Sequence, residues 1–272
     1  MIFESSPSAQ SITPAELERR QASFNARKAL LKGNPSLFIS RTRLSVRQLP
    51  TFVTERVLKR LGLHAKRAFQ DEVRAGTREA LTADELDVDR TIAEELRAAE
   101  AAEAVANQTS NDTKPKKGKM QRATGVKQAK IARQAERAEP LTGKGKSRGY
   151  GFLEMDRHSD ALRVLRWANN REGTAELMWG WWKEELQDVV KRYKSTKAGS
   201  KALDDEEAVA EKARIELIEK KIVDMDRDKG PKGKTLLVEF SIENVVVTKR
   251  RAAKVCSTQW GSNFLMTLSL FQ

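Results

Sequence analysis

Cysteine, histidine and long apolar runs are all scarce in this sequence. Its one cysteine, Cys256, excludes an internal disulfide and a zinc site built on several cysteines. With only His64 and His158 as imidazole ligands, we expect no structural zinc or other transition metal, and no cofactor. No apolar run approaches the roughly 20 residues that a membrane-spanning helix needs, and residues 1–10 lack the basic start and apolar stretch of a signal peptide. We therefore expect a soluble intracellular protein from a reducing compartment.

Catalytic patterns are missing as well. The sequence has no recognisable Ser/His/Asp set, no paired-carboxylate site and no phosphate-binding glycine loop. We therefore expect neither an enzyme nor a small-molecule substrate.

Charged residues, by contrast, are abundant and unevenly distributed. They make up 33% of the 272 residues against 39% for hydrophobic residues, which predicts one compact domain accompanied by long polar helices and tails. The net charge of +13 favours a polyanionic partner, either nucleic acid or an acidic membrane surface. Residues 84–103 hold eight acidic and two basic residues, whereas residues 114–148 hold twelve basic and two acidic ones. The basic segment, residues 114–148, is therefore the electrostatic centre of the chain.

Hydrophobic periodicity predicts an α+β protein. Alternation predicts strands, and helical spacing predicts helices, in the order β-α-β-β-α-β. This is the order of the ferredoxin-like plait, in which both helices cover one face of the sheet and leave the other face open. The predicted strands are 43–49, 126–133, 148–155 and 235–242, and the predicted helices are 54–73 and 158–169.

Further segments interrupt or flank this order. Insertions at about 74–125 and 171–233 carry charged helices, and a flexible basic stretch occupies 107–119. We expect a single domain over residues 36–254, an N-terminal extension over 1–35 and an atypical tail over 255–272. The inserted helices are predicted at 82–106, 176–193 and 204–221, and the helix of the extension at about 14–31.

Capping residues mark three of the helix starts. Thr13 is expected to cap the first helix, with Pro14 at its first position and Glu16 closing a capping box. Thr54 is expected to cap the next one. Residues 82–85 form a second capping box.

The third predicted strand carries the most informative pattern, Arg148-Gly149-Tyr150-Gly151-Phe152-Leu153-Glu154-Met155. Its first five positions fit the signature K/R-G-F/Y-G/A-F-V-x-F/Y, which lies on the third strand of an RNA recognition motif (RRM). Leu153 replaces valine conservatively, and Met155 replaces the final aromatic residue. The pattern therefore predicts an RRM and, with it, RNA binding.

Alternation along this strand sorts its side chains onto two faces. Leu153 and Met155 are predicted to point into the core, which leaves Tyr150 and Phe152 on the open face together with Arg148. The two rings are expected to stack unpaired bases, at roughly 1–3 kcal/mol per base, while Arg148 pairs with a phosphate.

The glycines of the strand, Gly149 and Gly151, are expected to keep its surface clear so that a base can lie flat. Two alternatives stay open for the rings of Tyr150 and Phe152: they are core residues, or they bind a protein in place of RNA.

The first strand of an RRM usually adds another ring, at the second position of its own motif. In Leu44-Ser45-Val46-Arg47-Gln48-Leu49 that position is Ser45, so we expect modest RNA affinity through the sheet. Residues 37–40 fit the pattern too, but we prefer 44–49 because Leu49-Pro50 leads directly into the helix. The other candidate RNA-binding residues are Lys146, Arg47, Lys127, Lys130 and Asn244.

Two further features admit both a functional and a structural interpretation. The basic segment is expected to contact phosphates, with an affinity that falls as salt rises, or else to be a solvated loop with a charge bias. Its lysine and arginine clusters are also a weak nuclear-localisation signal. Trp179, Trp181 and Trp182 either pack the second insertion onto the domain or dock a partner protein.

Several segments together resemble the last RRM of the fungal nucleolar protein four family, whose animal counterpart is a nucleolar RNA-binding motif protein. The resemblance covers roughly residues 14–254. It rests on Leu37-Phe38-Ile39-Ser40-Arg41-Thr42-Arg43-Leu44-Ser45-Val46-Arg47-Gln48-Leu49-Pro50, Val53-Thr54-Glu55 with Lys59, Lys146-Ser147-Arg148-Gly149-Tyr150-Gly151-Phe152, Leu165-Arg166-Trp167 and Val238-Glu239-Phe240-Ser241-Ile242-Glu243-Asn244.

The resemblance implies a function that composition and spacing do not give. Members of the family carry several RRMs and bind precursor rRNA of the large ribosomal subunit in early nucleolar particles. The chain would then be part of a longer, non-catalytic protein, with ribosomal proteins and assembly factors as partners and the nucleolus as its location. The tail over 255–272 departs from the family because it contains no charged residue. It is either an unspliced or frameshifted end or a segment ordered by a partner.

Overall fold

The computed structural model describes residues 12–106, 125–139, 141–197, 205–228, 230 and 235–250. The predictions for residues 1–10, 107–119 and 255–272, and for the part of the basic segment that precedes residue 125, lie outside these ranges. Along the chain the helices and strands are α1 Pro14–Gly33, β1 Leu37–Arg47, α2 Glu55–Arg74, α3 Ala83–Ala106, β2 Val126–Ala138, β3 Gly145–Met155, α4 His158–Ala168, α5 Thr174–Lys197, α6 Asp205–Arg227 and β4 Leu237–Asn244.

The four strands form one antiparallel sheet in the order β2-β3-β1-β4. The predicted α+β class is therefore confirmed, as is the order β-α-β-β-α-β when α1 and the inserted helices are set aside. Helix α3 lies in the first predicted insertion, between α2 and β2. Helices α5 and α6 lie in the second, between α4 and β4.

Helix α2 forms where the sequence predicts it and packs on one face of the sheet. Thr54 caps it, because its Oγ1 accepts a hydrogen bond from the backbone N–H of Val57 at 3.2 Å. Gly62 lets the helix approach β3 closely, since a Cβ at this position would lie 2.9 Å from Cδ2 of Leu153. The buried residues of the helix repeat at helical spacing and are Val57, Leu58, Leu61, Gly62, Ala65 and Phe69.

Helix α5 joins the same core through its tryptophans. Trp182 stacks on Phe52 with ring centroids 5.1 Å apart. His64 of α2 lies between Trp167 of α4 and Trp181 of α5, with centroids 5.2 Å from each. The ring of Trp167 is buried.

Several boundaries differ from the predictions. Strand β1 begins at residue 37 rather than 43, and β2 continues to residue 138, so residues 134–138 lie on a strand rather than in a loop. Thr13 makes no side-chain capping bond, and the backbone N–H of Glu16 donates to the backbone carbonyl of Thr13 at 3.0 Å. The Glu16 carboxylate, expected to close the capping box, pairs with Arg20 at 3.1 Å. In the capping box at 82–85, Glu85 does accept from the backbone N–H of Thr82, at 3.0 Å.

The chain divides into two compact units, residues 1–41 with 240–272, and residues 42–239. In the described part of the first unit, Arg27 donates to the carbonyl of Phe240, and the N–H of Val245 donates to the carbonyl of Ser36 at 3.0 Å. The second unit contains the β1–β3 and β2–β3 pairings and helices α2 to α6. None of the described helices has the length and apolar character required to span a membrane.

Candidate nucleic-acid interface

Strand β3 sorts its side chains as the alternation predicts. Leu153 and Met155 are buried. Tyr150 is 37% exposed and Phe152 is partly exposed, so these rings are not core residues. The two rings meet edge to face, with centroids 6.2 Å apart. The sheet therefore presents a pair of aromatic side chains on the face opposite α2.

The strand register places the neighbours of this pair. Ser45 of β1 lies directly opposite Phe152, and Arg47 lies directly opposite Tyr150. Lys130 of β2 flanks Phe152 from the other side. Opposed residues of antiparallel strands point to the same face, so these side chains surround the rings. The register therefore puts Ser45, and not an aromatic residue, next to Phe152.

A guanidinium group covers part of the aromatic pair. Arg43 points to the same face two residues before Ser45, and its Cζ lies 4.8 Å from the centroid of the Phe152 ring. Its Nη1 is 4.0 Å from Oε2 of Glu154, and only 10% of its side chain is exposed. A base that stacks on this side of Phe152 must displace Arg43 or stack beside it. The sequence analysis did not identify Arg43 as part of the site. Arg43 and Ser45 are two residues apart on an alternating strand, so their side chains share a face, and this spacing could have identified Arg43.

The remaining charges of this face are arranged in pairs. Lys127 is the extra residue at an irregularity between Val126 and Gln128, and its Nζ reaches Oε1 of Glu154 at 2.9 Å. Arg47 lies 3.8 Å from Glu239 of β4. Ser45 Oγ donates to the backbone carbonyl of Glu239 at 3.3 Å. Lys127 and Arg47 thus pair with the carboxylates of Glu154 and Glu239. A phosphate that binds either cation must replace that carboxylate.

The backbone of β3 is irregular between Arg148 and Tyr150. Gly149 has φ +77°, a left-handed conformation that favours glycine, and its carbonyl accepts from the N–H of Leu49 at 2.9 Å. Simple alternation therefore does not hold at Arg148. Its exposed side chain instead borders a cavity of about 540 Å³ with Gln134, Ala135 and Glu136 of β2.

The expected role of Gly151 was wrong. A Cβ at this position would lie 2.7 Å from the carbonyl oxygen of Lys130 and 3.1 Å from Cδ2 of Leu58. Leu58 belongs to α2, so the missing side chain makes room for packing on the helix side of the sheet. It does not clear the open face for a base.

The other predicted residues have different surroundings. Lys130 and Lys146 are exposed on β2 and β3. Asn244, in the unit formed by 1–41 and 240–272, caps the helical turn that follows it: its Oδ1 accepts from the N–H of Val246 at 2.8 Å. Its Nδ2 donates to Ser36 Oγ at 3.2 Å. The side chain of Asn244 is therefore already engaged in local bonds.

The tryptophans of α5 match the packing alternative. Trp181 and Trp182 are buried, and Trp179 meets Phe52 edge to face with centroids 5.0 Å apart. Arg60 lies over the Trp181 ring. Trp181 and Trp182 therefore do not form the exposed docking patch of the alternative interpretation.

An ion cluster ties α2 to the β2–β3 hairpin. Arg133 binds Glu55 through two nitrogens, at 3.0 and 3.2 Å, and Lys144 lies 3.4 Å from the same carboxylate. Burial raises the pKa of Glu55, but hydrogen bonds and the charges of Arg133 and Lys144 outweigh this and hold the pKa below its ordinary value. The hairpin that carries the basic residues is thereby fixed to the helix layer.

The described residues contain no group of three or more His, Cys, Asp and Glu side chains arranged to hold a metal ion. No family model matches the chain, and no solved structure matches it with statistical significance.

Proposed function

We propose that this chain is an RNA-binding protein whose sheet is that of an RRM. The observation that carries the proposal is the segment Arg148–Met155, whose first five residues fit the RRM signature. It lies beside β1 in the middle of the sheet, with two aromatic side chains on the open face. Paired rings on an open sheet stack unpaired bases, and this mode of recognition tolerates many sequences.

The charge around the rings supports a single-stranded polyanion as ligand. Arg47, Lys127 and Lys130 flank the aromatic pair, and Lys146 and Arg148 extend the basic surface along β3. Phosphate contacts position a nucleic acid and make its affinity depend on salt. Because Arg47 and Lys127 must exchange a carboxylate for a phosphate, we expect moderate affinity.

The biological setting that we propose follows from the resemblance to the nucleolar protein four family. In this setting the chain is an assembly factor that binds precursor rRNA of the large ribosomal subunit in early nucleolar particles, next to ribosomal proteins and other assembly factors. It has no catalytic role.

Replacing Tyr150 and Phe152 by alanine tests RNA binding through the sheet. Loss of two stacked bases at roughly 1–3 kcal/mol each should weaken binding to a single-stranded RNA by at least about 30-fold. Binding is measured by fluorescence anisotropy on the full chain. A matched control replaces Tyr193 of α5 by alanine, which should leave the affinity unchanged. Unchanged affinity in the double variant would refute readout through the sheet face.

A second candidate function is a pre-ribosomal scaffold whose sheet contacts protein more than RNA. The observation that favours it is the state of the first strand, where Ser45 supplies no ring and Arg43 covers part of Phe152. Under this alternative, RNA crosslinks would fall only on 114–146 or on 176–193, and not on 148–152.

A further inference from the structure

The cavity that Arg148 borders contains polar side chains that have no partner in the protein. It has a volume of about 540 Å³ and is lined by Gln134, Ala135 and Glu136 of β2 together with Arg148 of β3. All four residues are exposed. Within the part of the chain that the structure describes, the side chains of Gln134, Glu136 and Arg148 form no hydrogen bond or ion pair. A carboxylate, an amide and a guanidinium therefore border one cavity with their bonding capacity unused.

This absence of pairing sets the cavity apart from the rest of the sheet surface. The carboxylate of Glu154 lies 2.9 Å from Lys127, and that of Glu239 lies 3.8 Å from Arg47. On those strands a ligand must break an ion pair before it can bind. At the cavity of Glu136 it does not.

The strand register directs two of these side chains to the open face. Arg133 of β2 lies directly opposite Ser147 of β3. Arg133 points to the helix side, where it binds Glu55 at 3.0 and 3.2 Å, and Ser147 is buried. Because side chains alternate along a strand, the next residues, Gln134 and Arg148, point to the opposite face. The irregular backbone at residue 149 comes after this step, so the cavity lies on the same face as the aromatic pair.

The backbone of the hairpin fixes the two walls of the cavity. A Cβ at Gly145 would lie 1.8 Å from the carbonyl oxygen of Gln134, so β2 and β3 approach closely at this point. Arg133 also donates from Nη1 to the carbonyl of Gly145, at 3.1 Å. The walls are therefore in place before a ligand arrives, which lowers the entropic cost of binding.

The unpaired carboxylate of Glu136 determines which part of a nucleotide suits the cavity. A carboxylate only accepts hydrogen bonds, and it repels a phosphate. The complementary ligand group is an edge that presents N–H donors. Guanine presents two neighbouring donors, N1–H and the N2 amino group, with the acceptor O6 beside them. On the same edge adenine and cytosine offer only an amino group, and uracil offers only N3–H.

We infer that this cavity recognises a guanine of single-stranded RNA, with Glu136 accepting from N1–H and the N2 amino group while Arg148 donates to O6. The inference rests on the proposed function and deepens it, because it gives the sheet a base preference that stacking alone does not supply. Arginine is a common donor to O6 of guanine, and its further N–H groups can hold a phosphate at the same time. Arg148 comes two residues before Tyr150, so the guanine follows the bases that stack on the rings.

Fluorescence anisotropy of the full chain with RNAs that differ at one nucleotide tests the inference. Each RNA is a short uridine tract that carries guanosine, adenosine, cytidine, inosine or uridine at its central position. The guanosine RNA should bind about 5- to 150-fold more tightly than the uridine RNA, the range for a base read by a bidentate pair. Inosine lacks the N2 amino group, so its RNA should bind about two- to ten-fold more weakly than the guanosine RNA.

Glu136→Gln removes the charge at nearly constant size and should reduce the ratio of guanosine to uridine affinity by at least about five-fold, because the amide no longer accepts from both donors. The ratio cancels any general effect of the charge on RNA affinity. Glu216→Gln, the same change at an exposed position of α6 that does not border the cavity, is the matched control and should leave the ratio unchanged.

Thermal melting identifies loss of fold in either variant, and in that event the comparison of guanosine with inosine RNA on the parent chain decides the question. If the adenosine, cytidine, inosine or uridine RNA binds as tightly as the guanosine RNA, the inference is overturned and the proposed function stands. A guanosine preference that Glu136→Gln leaves unchanged also overturns it, even if both affinities rise, because the carboxylate would then only repel phosphates. If the parent chain binds none of the RNAs, the proposed function fails together with the inference.

Discussion

Removing the guanidinium of Arg43 should tighten RNA binding. The group lies 4.8 Å from the Phe152 centroid and is nearly buried, so a base that stacks on this side of the ring must displace it. A cation–π contact is worth roughly 0.5–2 kcal/mol. Arg43→Met keeps most of the apolar stem but removes this competition, and affinity for single-stranded RNA should rise by about two- to thirty-fold.

The assay is a fluorescence-anisotropy titration at several salt concentrations. Each phosphate contact on a single strand contributes about 0.7 to the slope of log K against log salt. If Arg43 only obstructs the ring, the slope of Arg43→Met equals that of the parent chain. Weaker binding together with a slope reduced by about 0.7 would show that Arg43 contacts a phosphate and does not obstruct the ring. Arg97→Met on α3, an exposed arginine far along the chain from the sheet, is the control.

Three predictions concern stability, measured by denaturant or thermal unfolding. Gly151→Ala should destabilise the fold by about 1–3 kcal/mol, because the added Cβ overpacks the core. The control is Gly180→Ala on a helix, where nothing lies within 4 Å of the added Cβ, and it should be neutral or stabilising. Equal losses of stability in the two variants would contradict the packing role of Gly151. Burial and nearby arginines lower the pKa of His64, so the neutral ring stabilises the fold above pH 6.5 and this contribution is lost as pH falls through the lowered pKa. His64→Phe should therefore lose less stability below pH 6.5 than the parent chain, and an identical pH profile would contradict this. Asp160→Asn should cost about 2–3 kcal/mol, because Asp160 is buried and pairs with the partly exposed Lys66 at 2.7 Å; a change under 0.5 kcal/mol would contradict it.

The elements of the sheet and its two covering helices could be predicted from the sequence because local rules and tertiary packing agree there. Thr54 caps α2 as expected, and the alternation of β3 separates Leu153 from Phe152. Where the two conflict, the predictions failed. Thr13 has the residue type and position of a cap, yet its side chain makes no capping bond, and the carboxylate of Glu16 pairs with Arg20 in place of closing the capping box.

The candidate site could be predicted only in part. The sequence pattern at residues 148–155 identifies the two exposed rings, Tyr150 and Phe152. It carries no information about which side chains lie opposite these rings on the neighbouring strands. The contact of Arg43 with Phe152 depends on side-chain geometry, and the function of Gly151 depends on Leu58 from a distant helix. The sequence indicates that the tryptophans of α5 either pack onto the domain or dock a partner, but only the tertiary structure shows that Trp181 and Trp182 are buried.

Crosslinking in cells shows which RNA the protein binds and which of its residues contact that RNA. The full-length protein is irradiated, bound RNA is sequenced, and the crosslinked peptides are mapped by mass spectrometry. We expect precursor rRNA of the large subunit as the main RNA and crosslinks within 148–152, at Tyr150 and Phe152. Crosslinks confined to residues 114–146 or 176–193 would contradict RNA binding through the sheet face. A lack of crosslinks to precursor rRNA would contradict the proposed role in assembly of the large ribosomal subunit.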